Sequence, residues 1–286
     1  MLIDKANKII GLALLNQLLR LFFWPAQKWG KRMTMTKKDQ IRALLKSIET
    51  GEPEPIAVVN EAKYIQHNPQ THEGSEGLAA LFKRLSKTGP RVNIVRAFED
   101  GEFVFAHTEY DLAARNIGFE VFRFEDGRAV EHWDNIQRRK GPNQAGHSMV
   151  DGQIESTDLG STEINRAIVR DFIETVFIGG EIDQLPTYID EDMFVDHNPL
   201  SQGGLNLVRT SLQTNRDGSR TTDYHKVHRV LAEGSFVLCI SKGNRDGEHA
   251  SFYDLFRLHE NKLVEHWDTT ERIVPKSEWK NNNGKF

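Results

Sequence analysis

Two short strings rich in ionisable side chains each occur twice in the chain. Val130–Asp134 and Val264–Asp268 read VEHWD, and His67–Pro69 and His197–Pro199 read HNP. Each VEHWD follows a strand-like run with an acid near its middle, Glu120 in Gly118–Phe124 and Asp254 in Ser251–Leu258. Carboxylates and imidazoles in this combination are the usual material of general acid–base chemistry. Strand alternation sets Glu120, Phe122 and Phe124 on one face and Val121 and Arg123 on the other. In the turns that follow, Gly127 and Asn261 suit the left-handed residue of a three-residue hairpin loop. Pairing centred on those residues sets Glu120 opposite Asp134 and Phe122 opposite His132. In the second copy it sets Asp254 opposite Asp268 and Phe256 opposite His266, with opposed Cβ atoms about 5 Å apart. A two-residue turn would instead slip the pairing by one and send Asp134 to the other face.

The elements around these strings repeat as well. A helix capped by Thr36 presents Ile41, Leu44, Leu45 and Ile48 before Gly51, and one capped by Ser161 or Thr162 presents Ile164, Ile168, Phe172 and Val176. Short helices follow each HNP, at Gly77 to Leu85 and Leu205 to Leu212. Four strand-like runs close each copy: 91–98, 102–107, 118–124 and 129–136, then 225–231, 235–241, 251–258 and 263–270. Two strings repeated in the same order, with a loop's difference in spacing, mark a tandem duplication. The expected organisation is an amphipathic extension over 1–35, one α+β domain over 36–140, a linker over 141–160, a second domain over 161–275 and a polar tail over 276–286.

Composition narrows the classes. With 38% hydrophobic and 27% charged residues the 286-residue chain is globular, not disordered. A net charge of −4, with no basic run interleaved with aromatics, argues against nucleic acid as a partner. The single cysteine, Cys239 in an apolar run, forms no internal disulfide and reads as a small core residue, which fits a reducing compartment. Residues 9–24 are apolar but interrupted by Asn16, Gln17 and Arg20, a poor spanning segment. Lys5, Lys8, Asn16 and Arg20 form a polar stripe followed by Lys28, Lys31 and Arg32. That pattern suits an amphipathic segment contacting a membrane surface through residues 1–32 of a cytoplasmic protein. The alternative is an upstream extension, with Met33 or Met35 as the natural first residue.

Helices first, then HNP, then a sheet ending in an acid-x-Phe-Arg run and VEHWD resembles the SnoaL-like polyketide cyclase family of the nuclear transport factor 2-like superfamily, over residues 37–140 and 161–272. The combination is similar to SnoaL-like proteins described as aldol-condensation enzymes. The resemblance implies tandem cone-shaped domains, each with helices packed on a curved antiparallel sheet around a cavity for a small hydrophobic carbonyl compound. It also implies sheet-to-sheet pairing, met either inside one chain as a pseudo-dimer or between chains as a homo-oligomer. His67 would lie near the cavity within reach of His132.

On that scaffold, Glu120 and Asp134 would be neighbouring acids on an apolar concave face beside His132, and one would hold a proton near neutrality. Such a pair supplies a base for a proton next to a carbonyl and an acid for the developing oxyanion. The expected catalytic set is Asp134 as base, His132 and Glu120 as its proton partners, His67 as a substrate-orienting or oxyanion-stabilising group and His107 as a further imidazole. Its second-copy equivalents are Asp268, His266, Asp254 and His197. His107 has no counterpart in Ile240-Ser241, which favours the first copy as the active one. No tyrosine matches the oxyanion donor of ketosteroid isomerase, a fold relative. No cofactor is expected. A two-His, one-carboxylate metal face from His67, His132 and Asp134 is the minor alternative, and no metal is the reading adopted. Trp133 and Trp267 read as packing residues under helices or between sheets, and Arg123 and Arg257 as partners of Glu131 and Glu265. The competing function is a non-catalytic ligand-binding or dimerisation module of the same fold.

Overall fold

Why the sheet keeps its acids on one face is settled at the hairpin turns. In the computed structural model, which describes residues 35–72, 75–112, 114–213 and 220–286, β4 (Arg115–Glu125) pairs antiparallel with β5 (Arg128–Arg138). The turn holds two residues, Asp126 at φ 51° and Gly127 at φ 76°, between the paired Glu125 and Arg128. The three-residue loop expected from sequence is therefore not formed. The slip that a two-residue turn threatens is cancelled by a bulge: Phe124 pairs with Ala129 but Arg123 pairs with Glu131, leaving Val130 as the extra residue. Beyond it Glu120 faces Asp134 and Phe122 faces His132. The second half repeats the device. β9 (Glu248–His259) and β10 (Lys262–Arg272) join through Glu260 and Asn261, both at positive φ, and Val264 is the bulged residue.

The remaining strands complete two five-stranded sheets of matching order. β1 (Ile65–Gln66), β2 (Arg91–Asp100) and β3 (Phe103–Asp111) give β1-β5-β4-β3-β2. In the second sheet β6 (Val195–Asp196), β7 (Thr222–Glu233) and β8 (Phe236–Arg245) give β6-β10-β9-β8-β7. The two-residue β1 and β6 pair parallel with β5 and β10, which seats each HNP beside its own VEHWD. Each sheet has helices on its concave face, so the fold is α+β with two tandem sheet-and-helix assemblies.

Helix α1 (Lys37–Thr50) behaves as its periodicity dictates: Thr36 Oγ1 accepts from Asp39 N, Ile41, Leu44, Leu45 and Ile48 are buried, and Gly51 ends it at φ 74°. With α2 (Ser75–Ser86) it covers the first sheet, burying Leu78, Phe82, Val104 and Phe122. Helix α3 (Thr162–Phe172) departs from expectation. It runs into a π-helical turn, Ile173–Ile178, and its inward face is Asn165, Val169, Phe172, Ile173 and Val176. Ile164 is left 56% exposed. Ile164 precedes that turn, in the regular α segment, where the buried spacing Asn165, Val169, Phe172 shows that a repeat held strictly at four residues drifts off the inward face.

The outer faces of the two sheets pack on each other. Phe105, Phe119, Val121 and Trp133 meet Leu231, Leu238, Tyr253 and Trp267 in one buried cluster. The Arg96 guanidinium lies 4.1 Å over the Trp267 ring and that of Arg229 4.0 Å over Trp133, so each sheet caps the other's tryptophan. Asn135 Nδ2 donates across the interface to the carbonyls of Ser251 at 2.9 Å and Thr269 at 3.1 Å.

Among the described residues no helix is long and apolar enough to cross a membrane. The amphipathic segment expected over 1–32 lies outside the described residues.

Gly127 tests the turn without disturbing packing, because nothing lies within 4 Å of where its Cβ would be. Gly127→Ala should lower stability by about 1 kcal/mol through the positive φ alone. Gly141→Ala, equally open and not at positive φ, should stay within about 0.5 kcal/mol. Urea unfolding of both variants measures the difference.

Candidate functional site

On the concave face of the first sheet, Glu120, His132 and Asp134 converge, each offering a side-chain atom within 4.8 Å of the other two. All three are buried, at 4%, 7% and 7% exposure. They line a cavity of about 210 Å³ whose remaining wall is mostly apolar, from Leu44, Leu45 and Ile48 of α1 to Leu81 and Phe82 of α2. An apolar cavity of about 150 Å³ already accepts a benzene ring, so this one holds a small cyclic or branched molecule.

The hydrogen bonds give each group a defined state of attachment. Tyr110 on β3 donates its hydroxyl to Glu120 Oε1 at 2.8 Å, and His132 Nε2 lies 2.8 Å from Glu120 Oε2. Gln66 Oε1 accepts from Asn68 N at 2.9 Å, which fixes it as an acceptor. His132 Nδ1, 3.1 Å from that oxygen, must therefore carry a proton and donate. His132 Nε2 and Glu120 Oε2 then share one hydrogen bond. Asp134 receives Asn68 Nδ2 on Oδ2 at 2.9 Å, while its Oδ1 accepts no hydrogen bond. Gly118 opposite Thr108 leaves the space that Tyr110 uses: a Cβ there would stand 2.6 Å from the Tyr110 ring and 2.7 Å from Glu120 Oε1.

Tyr64, just before β1, also lines the cavity, and its buried hydroxyl has no hydrogen-bond partner. Burial first, then the charges of Asp134 and Glu120, push the Tyr64 phenol well above its ordinary range, so it remains a donor. Tyr110 is raised likewise, chiefly by burial and then by Glu120.

His67 is not in the cavity. Alternation along Ile65–Asn68 turns Gln66 and Asn68 inward and His67 to the opposite face. There it stacks on Trp133 at 4.6 Å and bonds Glu131 Oε1 at 2.9 Å and the Gly284 carbonyl at 3.0 Å. His197 repeats this on Trp267, with Glu265 Oε1 at 3.0 Å and the Ser148 carbonyl at 2.9 Å. Glu131 and Glu265 also bind Arg123 and Arg257, so the expected pairs form, with each histidine added to them. His107 is outward for the same reason: its neighbour Ala106 pairs with Glu120, and His107 sits between the sheets against Phe119. Burial, and then the Arg96 charge, depress it well below the ordinary histidine range, consistent with Nδ1 accepting from Arg96 Nη1 at 2.6 Å. The proposed metal face from His67, His132 and Asp134 thus does not converge. Glu120, His132 and Asp134 do converge, but both nitrogens of His132 and both oxygens of Glu120 are already engaged by protein groups. A cation would have to displace those bonds.

The second half keeps the plan with altered chemistry. Asp254, His266 and Asp268 occupy the matching positions, and Asp196 stands where the first half has Gln66. His266 is held between Asp196 Oδ1 at 3.2 Å and Asp254 Oδ1 at 3.1 Å. Burial opposes its charge, but these two carboxylates outweigh burial and lift His266 to about 10. Asp268, with Asn198 Nδ2 2.9 Å from each oxygen, is raised to about 6 by burial and by Asp196 and Asp254, against the pull of His266. Tyr224 supplies the phenol to Asp254, from β7 instead of the β3-equivalent strand, across from Gly243. The remaining cavity is about 50 Å³.

Residues 41–132 match the family described as SnoaL-like domain. Over those residues the chain is similar to a SnoaL-like domain. No curated protein sequence matches the chain. Solved structures similar to it include a putative polyketide cyclase from Streptomyces antibioticus, 16% identical over 35% of this chain and 90% of the other, with a TM-score of 0.31. An NTF2-like protein from Cytophaga hutchinsonii is 16% identical over 37% and 94%, at 0.33. An LEH-like epoxide hydrolase from M. tuberculosis is 20% identical over 35% and 81%, at 0.31. The SnoaL-like match spans the elements that hold Tyr64, Asn68, Glu120 and His132 and ends at His132, two residues before Asp134.

The ion triad of the second half makes a pH prediction. A histidine raised from about 6.5 to about 10 stabilises the fold fully below pH 6.5 and progressively less as pH rises to 10. The stability advantage of the wild type over His266→Gln should therefore be largest near pH 6.5. It should shrink by a few kcal/mol towards pH 10, read from urea unfolding at pH 6.5, 8 and 10.

Proposed function

We propose that the SnoaL-like first half is a cofactor-independent acid–base enzyme for a small hydrophobic carbonyl compound, acting by aldol condensation or cyclisation or by isomerisation. The observation that carries this is an Asp134 oxygen that accepts no hydrogen bond, beside a hydrogen-bonded imidazole–carboxyl pair, in a mostly apolar cavity. Asp134 takes the proton from the carbon next to the carbonyl, the C–H electron pair becomes the C=C bond of the enolate, and the carbonyl π pair moves to the oxygen. Tyr64, whose hydroxyl is otherwise unpartnered, donates a hydrogen bond to that oxygen. The enolate then either attacks a second carbonyl carbon or is reprotonated elsewhere, with the Glu120–His132 pair as the proton source. Asn68 holds Asp134 in place through its side-chain amide. The second half serves as a structural partner: its cavity is about a quarter the size of the first, and its histidine is locked between two carboxylates.

The test is exchange of the α-hydrogens of cyclohexanone and related small ketones in D₂O, followed by proton NMR. The wild type should accelerate exchange. Asp134→Asn should lose at least about 10²-fold and remain folded, and Tyr64→Phe should lose about 10²- to 10³-fold. Asp268→Asn should stay within about twofold. Wild-type rates equal to buffer across the ketones, or full activity in Asp134→Asn, would overturn the reading.

A further inference from the structure

The end of the chain returns to the first half and brings a cation with it. Lys280 N donates to the Pro69 carbonyl at 2.7 Å. Asn281 Nδ2 donates to the carbonyls of Asn68 at 2.7 Å and Thr71 at 2.9 Å, and Asn283 Nδ2 to that of Gln66 at 3.0 Å. With Gly284 on His67, these bonds strap the segment across the HNP loop. The expected polar tail is thus partly buried: Asn281 is 5% exposed and Lys285 4%. Lys285 Nζ ends 3.5 Å from Asp134 Oδ1 and 3.2 Å from Glu271 Oε1, where its own hydrogen-bonding capacity is unmet. A buried ammonium is costly unless paired, and a strap that fixes one against a cavity acid imposes a charge on that acid.

The second half provides the contrast. Its HNP loop is strapped by the linker, through Asn143 Nδ2 to the carbonyls of Asp196 at 2.8 Å and Asn198 at 3.2 Å. No cation of that strap reaches Asp268 among the described residues, and Asp268 is the acid that burial lifts to about 6.

We propose that Lys285 is a positioning residue, which holds Asp134 ionised and aimed for the proton abstraction given above, on whose reading the enzymatic part of this inference rests. Around Asp134 stand Glu120 and His132 of β4 and β5, Tyr64, Tyr110 of β3, Tyr253 of β9 and Glu271 of β10. Apart from His132, which is committed to Glu120, Lys285 is the basic group of that set. Glu271 competes for it: burial raises Glu271, and Lys285 counters that rise.

The experiment is a ¹³C NMR titration of the side-chain carboxyl carbons in the full-length protein, with Asp134 assigned by its loss in Asp134→Asn. Lys285→Met should raise the Asp134 midpoint by about one pH unit or more, and Lys285→Arg should restore it. The acid limb of the ketone-exchange pH profile should move upward with it, in kcat more than in KM. An unchanged midpoint in folded Lys285→Met overturns the proposal. Should that variant fail to fold, Glu271→Gln decides: removal of the competing acid should lower the Asp134 midpoint, and no change overturns the proposal. A midpoint that moves as expected in a protein without ketone exchange upholds the positioning role and removes the enzymatic reading instead.

Discussion

One extra residue in each outer hairpin decides the rest of this structure. A two-residue turn is the shortest closure available and fits the strand twist, but with strict pairing it would put Asp134 and Asp268 on the faces buried between the sheets. An unpaired carboxylate there would face Phe105, Phe119, Leu238 and Tyr253 at a cost of several kcal/mol, and the two tryptophans would turn to the concave faces. The bulges at Val130 and Val264 restore the parity, so acids and imidazoles turn to the concave face and tryptophans to the interface. Phe122 and Phe256 then stack on His132 and His266, and each bulged valine is itself buried.

Sequence carried the parts of this arrangement that follow from regular periods and from repetition. The α1 face, the strand succession in both halves and the opposition of Glu120 to Asp134 all rest on alternation or on helical spacing. The opposition emerged through the wrong turn, since a three-residue loop and a two-residue turn with a bulge give the same pairing beyond Arg123. Two residues of strand carry no period, so the parity of Ile65–Asn68 was illegible and His67 was read as facing the cavity in place of Asn68. The π turn in the second half has no compositional mark, and before it a repeat held at four residues drifts off the buried face, which leaves Ile164 outside. Tyr64, Tyr110 and Lys285 reach the site from segments outside the repeated strings, so repetition could not point to them. Lys285 also lies some 150 residues along the chain from Asp134, joined only by the strap.

Joining two copies in one chain relieves each of a solvent-exposed outer face. The hydrophobic surface of both sheets is removed from water in one cluster, and Arg96 and Arg229 each find an aromatic ring on the opposite sheet. The straps cross in the same sense: the segment after the first sheet covers the second HNP loop, and the segment after the second sheet covers the first. Each half's cavity rim is therefore held by residues that belong to its neighbour's end of the chain.

Such mutual dependence stabilises the pair as a whole while leaving the two concave faces free to differ. The decisive difference is one atom's worth of chemistry, the amide of Gln66 against the carboxylate of Asp196. A neutral acceptor on Nδ1 orients the His132 ring without adding charge. A carboxylate in the same place clamps His266 between two anions and favours the imidazolium so strongly that proton release near neutrality is blocked. With that cation committed to Asp196 and Asp254, Asp268 gets too little of its field to stay ionised at mildly acidic pH, whereas Asp134 has the Lys285 ammonium at 3.5 Å. The same scaffold thus sets a neutral amide beside one histidine and a carboxylate beside the other, and the second imidazole alone of the two lies between two anions.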